Sequence, residues 1–308
     1  MPIQEVLAEK LAEASGYPTH QLYLVNSGAE ANENALKLAS FHTGKKKVIA
    51  FRGSFHGRTA ATLNVTDNPK LSAPINANNF PVEFVAMNNE QELINALQKE
   101  DVCAVIIEGI QGVGGLDAPT DYFFKNIVKY CEIYNAVLIV DEIQSGFGRT
   151  GKFFAHQHAE IKADIITMAK GMGNGFPIAG LLINPKIEAS FGLLGTTFGG
   201  NQLACAASIA VLDTIKSEDL MANVKKTSQF LLNELASVPQ IKKIKGTGLM
   251  LGIELDFEIK EIRKQLLEKY HIFTGNSTNP NLLRILPPLC IKQEELVPFI
   301  NALKIILK

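Results

Sequence analysis

The sequence lacks an excess of charge of either sign. Its 308 residues carry 30 Lys and Arg against 31 Asp and Glu, a formal net charge of -1. That balance leaves no electrostatic footprint for DNA or RNA, so small molecules or a second copy of the chain are the expected partners. Long apolar runs are missing too. None approaches the ~18 residues of a membrane span, so no membrane contact is expected. The opening residues Met1-Pro2-Ile3-Gln4-Glu5 lack the basic and apolar layout of a secretory signal. Cysteine is scarce: Cys103, Cys131, Cys205 and Cys290 stand apart, mostly among apolar residues. Without C-x-x-C or Cys/His spacing, neither a disulfide framework nor a zinc site is indicated, and no metal is expected. Such thiols read as buried and reduced, which fits a cytoplasmic location. No G-x-G-x-x-G follows the first strand, against a plain dinucleotide-binding sheet.

What remains is a chain rich in core. Apolar residues make up 46% and charged residues 20%, and the length suits one large domain plus a smaller one. Apolar spacing over residues 3–14 predicts a lead-in helix closed by Gly16. Strands are expected at 21–25, 48–51, 82–86, 102–108, 136–141, 164–169 and 178–183. Helices are expected at 29–40, 91–99, 121–134 and 201–216. This alternation predicts an α/β fold with a mostly parallel sheet flanked by helices, its ligands at the carboxyl ends of the strands. From about residue 217 the pattern changes: a helix at 220–237, an extended stretch at 244–255, a charged helix, a strand at 282–286 and a terminal helix from about 293. The expected division is therefore a large domain over 1–216, with 1–16 as its lead-in helix, and a small α+β domain over 217–308.

Several segments carry chemistry. Asn26-Ser27-Gly28-Ala29-Glu30 follows a strand, and Ser27 with Glu30 matches a capping box that starts a helix. Such a start attracts anions, and the small Gly28 and Ala29 let a phosphate approach, although an ordinary capped helix has the same signature. Phe55-His56-Gly57-Arg58 places an aromatic, an imidazole and a guanidinium together. Phe55 suits a planar ring or the core, and Arg58 suits a carboxylate. Asp141 ends an apolar strand, where a buried acid needs a partner, and Gln144 follows three residues on. Lys170 lies in Met168-Ala169-Lys170-Gly171-Met172-Gly173-Asn174-Gly175, a context that depresses an amine pKa. Thr196 and Thr197 sit at a glycine-rich turn before a helix and suit a phosphate or carboxylate. An amine after one strand and an acid ending another are the charges a pyridoxal phosphate site requires.

In this order the segments resemble the class III pyridoxal phosphate aminotransferases, and within them the acetylornithine/succinylornithine branch. The motifs are Asn-Ser-Gly-Ala-Glu-Ala-Asn-Glu at 26–33, Phe-His-Gly-Arg-Thr at 55–59, Asp-Glu-Ile-Gln-Ser-Gly-Phe-Gly-Arg-Thr-Gly at 141–151, the Lys170 loop and the Thr196-Thr197 turn. The resemblance implies the fold-type I architecture and pyridoxal 5'-phosphate as cofactor. It implies transfer of the terminal amine of N-acetylornithine or N-succinylornithine to 2-oxoglutarate, giving the semialdehyde and glutamate in arginine biosynthesis. Lys170 becomes the amine that condenses with the cofactor and shuttles the proton. Asp141 faces the pyridine nitrogen, Gln144 the ring hydroxyl and Phe55 the ring, while Ser27, Gly28 and Ala29 hold the phosphate. Thr197 reaches the phosphate in the other subunit of a homodimer. Arg58, with Thr196 nearby, takes the distal carboxylate of the donor, and Arg284 the α-carboxylate of glutamate.

Two departures bear on those expectations. Many relatives carry a glutamate at the position of Val113 that screens the arginine equivalent to Arg284, so either Arg284 is left for another acid or donor choice is altered here. The family's chains also carry several dozen more residues before the first helix, a segment that contributes to the small domain, dimer contact and substrate pocket. Other class III activities, on 4-aminobutyrate or ornithine, or an aminomutase, and a non-catalytic cofactor-binding remnant are the alternatives.

Overall fold

The computed structural model describes residues 2–76, 79–99, 101–188 and 190–308. Among these residues, ten strands are interspersed with helices. The strands are β1 (Gln21–Val25), β2 (Lys47–Phe51), β3 (Val82–Val85), β4 (Val102–Glu108), β5 (Val137–Asp141), β6 (Ile165–Met168), β7 (Ala179–Ile183), β8 (Lys243–Thr247), β9 (Met250–Glu254) and β10 (Leu282–Ile285). The helices are α1 (Pro2–Ser15), α2 (Gly28–Thr43), α3 (Ala60–Asn64), α4 (Glu90–Leu97), α5 (Asp121–Ile133), α6 (Gln202–Ser217), α7 (Leu220–Leu235), α8 (Lys260–Tyr270) and α9 (Gln293–Ile306).

β1 to β7 form one sheet in the order β1-β7-β6-β5-β4-β2-β3. β7 runs antiparallel to both its neighbours and the other pairs are parallel, so β1, β2, β4, β5 and β6 all end at one edge. β4 and β5 are buried along their whole lengths, as continuous apolar runs in a sheet covered on both faces should be. Separate apolar clusters fill those faces. One includes Leu7 and Leu11 of α1 and Phe123 and Ile127 of α5; the other includes Ala31, Ala35 and Ala39 of α2. Small residues on α2 let it lie close to the sheet, which brings its N-terminus to the strand ends.

β10-β9-β8 make a second, antiparallel sheet, packed on α7, α8 and α9 through Leu231, Ile253, Leu266 and Leu303. The stretch expected to be extended at 244–255 is a hairpin, since Thr247 pairs with Met250 around Gly248-Leu249. Gly248 there has φ +61° and lies against the Arg149-Thr150 backbone, where a side chain has no room. Leu220 of α7 joins the core of the large sheet rather than that of the small one.

One expectation on the cysteines is corrected. Cys103, Cys131 and Cys205 are buried, but Cys290 is exposed, because it follows Pro287-Pro288 in the turn between β10 and α9. Among the described residues no helix is long and apolar enough to cross a membrane.

Candidate active site

The shared carboxyl edge of the parallel strands gathers predicted residues from four separate segments. Ser27, Gly28 and Ala29 follow β1, Phe55 and Arg58 follow β2, Asp141 ends β5 with Gln144 just beyond, and Lys170 follows β6. All of them line one cavity of about 780 Å³. Sites for small molecules fall in that size range. A second cavity, of about 620 Å³, shares Gln144, Arg149 and Lys170 with the first.

Asp141 is 4% exposed, and its carboxylate is held from three directions. Oδ1 accepts from Ile143 N at 3.0 Å, while Oδ2 accepts from Asn32 Nδ2 at 2.8 Å and lies 2.8 Å from His56 Nδ1. Asn32, on the inner face of α2, also donates to His56 O at 2.8 Å and accepts from Thr167 Oγ1 at 2.7 Å. The acid is thereby fixed in one orientation. The other ring nitrogen, His56 Nε2, is buried without a partner.

Lys170 has φ +44°, a left-handed conformation that costs a non-glycine residue about 1 kcal/mol or more. The residue is exposed by accessible area and lines both cavities. Enclosure by the cavity walls lowers the amine's pKa; Asp141 and Glu108 oppose that shift, and Arg284 adds to it. An amine so placed is more readily neutral and nucleophilic.

At the start of α2, Ser27 Oγ accepts from Glu30 N at 3.2 Å, as a capping box requires. The return arm differs from expectation. The Glu30 carboxylate takes Asn26 N at 2.7 Å and Asn26 Nδ2 at 3.0 Å, one residue upstream of the cap. The first amides of this 16-residue helix have no acceptors within it and form, with the helix dipole, a seat for an anion. Gly28 also lies close to Ile143, for a reason the sequence did not suggest: a Cβ there would stand 2.8 Å from Ile143 Cδ1 and make that side chain shift. Phe55 is half-buried, with the Arg58 guanidinium 5.9 Å from its ring centre. No ion pair engages Arg58 among the described residues.

The remaining predicted residues stand further out. Arg284 lines neither cavity that contains Lys170; its Nη1 donates to Gly112 O at 2.5 Å and Gln144 Oε1 at 3.2 Å. Gln144 and Arg284 are therefore joined to each other. Thr196 accepts from Asn26 Nδ2 at 3.4 Å, on the cavity rim, whereas Thr197 is exposed and outside the cavity of its own chain. Three residues to which the sequence reading gave no role also belong here: Asn32, His56 and Glu108. Glu108 ends β4 as Asp141 ends β5, and that parallel was the available signal.

These residues fit pyridoxal phosphate. The cavity presents an acid held rigidly, an amine opposite it, an aromatic wall and a helix start for an anion. The class-III aminotransferase family model matches residues 2–307. The chain belongs to that family. This class-III aminotransferase is 38% identical over 307 residues to the acetylornithine aminotransferase of Bacillus subtilis (strain 168), covering 98% of this chain and 79% of the relative. It is also 38% identical over 313 residues to that of Aquifex aeolicus (strain VF5), covering 99% of this chain and 81% of the relative. An ornithine aminotransferase from Toxoplasma gondii, with partial occupancy of PLP at its active site, superposes with a TM-score of 0.89 at 30% identity over 99% of this chain and 76% of that one. A transaminase from the marine bacterium Virgibacillus gives 0.92 at 25% identity, with 99% and 78% covered.

Proposed function

We propose that this class-III aminotransferase moves the terminal amine of an N-acylated ornithine, N-acetylornithine first, to 2-oxoglutarate with pyridoxal 5'-phosphate as cofactor. The observation that carries the proposal is the single cavity joining Lys170, Asp141, Phe55 and the Ser27 helix start. The names and identities of the acetylornithine aminotransferases it resembles support the choice of donor. When bound, the cofactor supplies an electron-accepting ring that stabilises negative charge at the substrate carbon.

The protein's residues supply everything else. Lys170 Nζ, its pKa depressed, would hold the cofactor and would carry the proton on and off the substrate carbon. Asp141, held by Asn32, His56 and the Ile143 amide, would face the ring nitrogen and favour its protonated form. Phe55 would cover the ring and Gln144 would hold its hydroxyl. Ser27 and the amides of Gly28 and Ala29 take the phosphate, where a helix start favours an anion. Arg58, with Thr196 nearby, takes the distal carboxylate of the donor. Arg284 takes the α-carboxylate of glutamate by leaving its hydrogen bonds to Gly112 and Gln144.

Thr197, exposed on its own chain, is assigned to the phosphate site of a second copy, which makes a homodimer the working unit. Exposed Phe191, Phe198 and Leu203 flank that turn and supply apolar surface for the contact. The same reading places the enzyme in the cytoplasm and in arginine biosynthesis, with 1–216 as cofactor domain and 217–308 as small domain. The test is borohydride reduction of protein loaded with pyridoxal phosphate, followed by peptide mapping and a donor panel scored by glutamate formation. A pyridoxyl group on Lys170, with N-acetylornithine the best donor, is expected. No adduct on that peptide sinks the proposal.

A further inference from the structure

Glu108 is buried in the wall of the cavity, 5% exposed, and forms no ion pair among the described residues. β4 and β5 pair in parallel with Glu108 opposite Asp141, so the two carboxylates leave adjacent strands at the same level and on the same face. What Glu108 touches is backbone. Oε1 accepts from Phe55 N at 3.0 Å and Oε2 accepts from Gly112 N at 2.9 Å. Those amides belong to two loops with different tasks. The Phe55 peptide carries the aromatic wall of the cavity. Gly112 presents its carbonyl to Arg284 Nη1, and a Cβ on Gly112 would lie 2.3 Å from the Gln144 carboxamide. One anion thus sits under both the aromatic wall and the Gln144–Arg284 pair.

We propose that Glu108 is a positioning residue: its carboxylate clamps the Phe55 and Gly112 peptides and so sets the ring-covering side chain and Arg284 together. The clamp itself is independent of the aminotransferase reading; its consequences for turnover rest on that reading. The charged and titratable groups around Glu108 are His56 from the loop after β2, Asp141 on β5, Lys170 after β6 and Arg284 on β10. Burial pushes the Glu108 carboxyl up to about 7; His56 opposes that, Asp141 adds to it, and the two amides oppose it. Protonation leaves one good acceptor where the ion has two, so the clamp loosens as pH falls through that value.

The test is hydrogen exchange on the full chain, wild type and Glu108→Gln, with β8 and β9 as the internal control. In the variant the amides of segments 53–58 and 109–115 are expected to exchange about tenfold faster, the equivalent of one lost charged hydrogen bond, with the control unchanged. In the wild type the same segments lose protection below pH about 7, after correction for intrinsic rates, and the variant shows no such step. With cofactor saturating, the variant's KM for 2-oxoglutarate rises about tenfold while KM for the acylated ornithine stays within about twofold. Unchanged exchange at both segments overturns the clamp, and so does equal acceleration of the control. If Glu108→Gln does not fold, Glu108→Asp takes its place and is judged by the same exchange readouts. A wild type that yields no pyridoxyl-Lys170 retires the aminotransferase reading, and the exchange data still judge the clamp.

Discussion

The edge of the large sheet and the small antiparallel sheet are built on opposite terms. At the edge, Glu108, Asp141, Glu142, His56 and His156 are all buried, and Lys170, Asn174 and Phe147 adopt left-handed backbone. In the small unit no carboxylate among the described residues is buried, and Leu231, Ile253, Leu266 and Leu303 are fully enclosed by other apolar groups. Burying charge and straining backbone both oppose folding, so the edge is held in place by packing elsewhere. Glu142 shows how this is done: its oxygens take Ser145 Oγ at 2.6 Å, Ala155 N at 3.0 Å, His156 N at 2.9 Å and His156 Nδ1 at 2.7 Å. The site's chemistry and the molecule's stability should therefore respond to different substitutions.

The sharpest separation is expected from Lys170→Ala. Without the amine, no residue is left to carry the proton at the substrate carbon, and turnover should fall by about 10³-fold or more. Melting temperature without cofactor should hardly move, because the Lys170 side chain forms no hydrogen bond or ion pair among the described residues, and its backbone bond from Gly173 N survives the substitution. A large drop in melting temperature would break the contrast between the two regions.

The reverse outcome is expected for Leu303→Ala in the small unit. Leu303 is 0% exposed, and truncating it leaves a cavity worth about 3 kcal/mol. Urea unfolding should report that loss, while kcat per folded molecule stays near wild type. A catalytic defect without a shift in the urea midpoint would mean that the small sheet tunes the site directly.

A third prediction concerns pH. Glu108 has its folded pKa raised from 4.5 to about 7, so the folded state binds the proton more tightly than the unfolded chain does. This contribution favours folding below pH about 4.5, is lost as pH rises to about 7, and is flat above. The span corresponds to about 3 kcal/mol, which Glu108→Gln should remove from the stability–pH curve of the cofactor-free protein. The edge would then prove costly through this carboxylate, as the comparison requires.

Legibility in the sequence followed the same divide between local and distant causes. Strands 21–25 and 102–108 match their expected ends, since short apolar runs bounded by polar residues leave little choice. Helix α2 runs to Thr43 rather than Ser40 because Gly44, at φ +69°, caps it after the apolar period has faded. Asp141 and Lys170 could be found because one ends a strand and the other lies in the loop just after one. Asn32 and His56 could not, because their tasks arise from pairing with Asp141 across 109 and 85 residues of chain. No local pattern encodes such a meeting.

The smallest expected effect probes where the two regions touch. Arg284 belongs to the small sheet but reaches Gly112 and Gln144 of the edge, both neutral acceptors. Val113, half-buried, offers only its carbonyl, which accepts from Thr278 N at 2.9 Å. A guanidinium held by neutral groups gives up its partners more easily than one held by a carboxylate, whose charge-assisted bonds are about twice as strong. Val113→Glu should place such a carboxylate near Arg284 and make the arginine harder to free for glutamate or 2-oxoglutarate. The ratio of acylated-ornithine to glutamate half-reaction rates should then shift by several-fold, about 1 kcal/mol, in favour of the donor. Stability should change little, because the position is only half enclosed. An unchanged ratio would mean that Arg284 is freed by movement of the small sheet as a whole rather than by exchange of its partners.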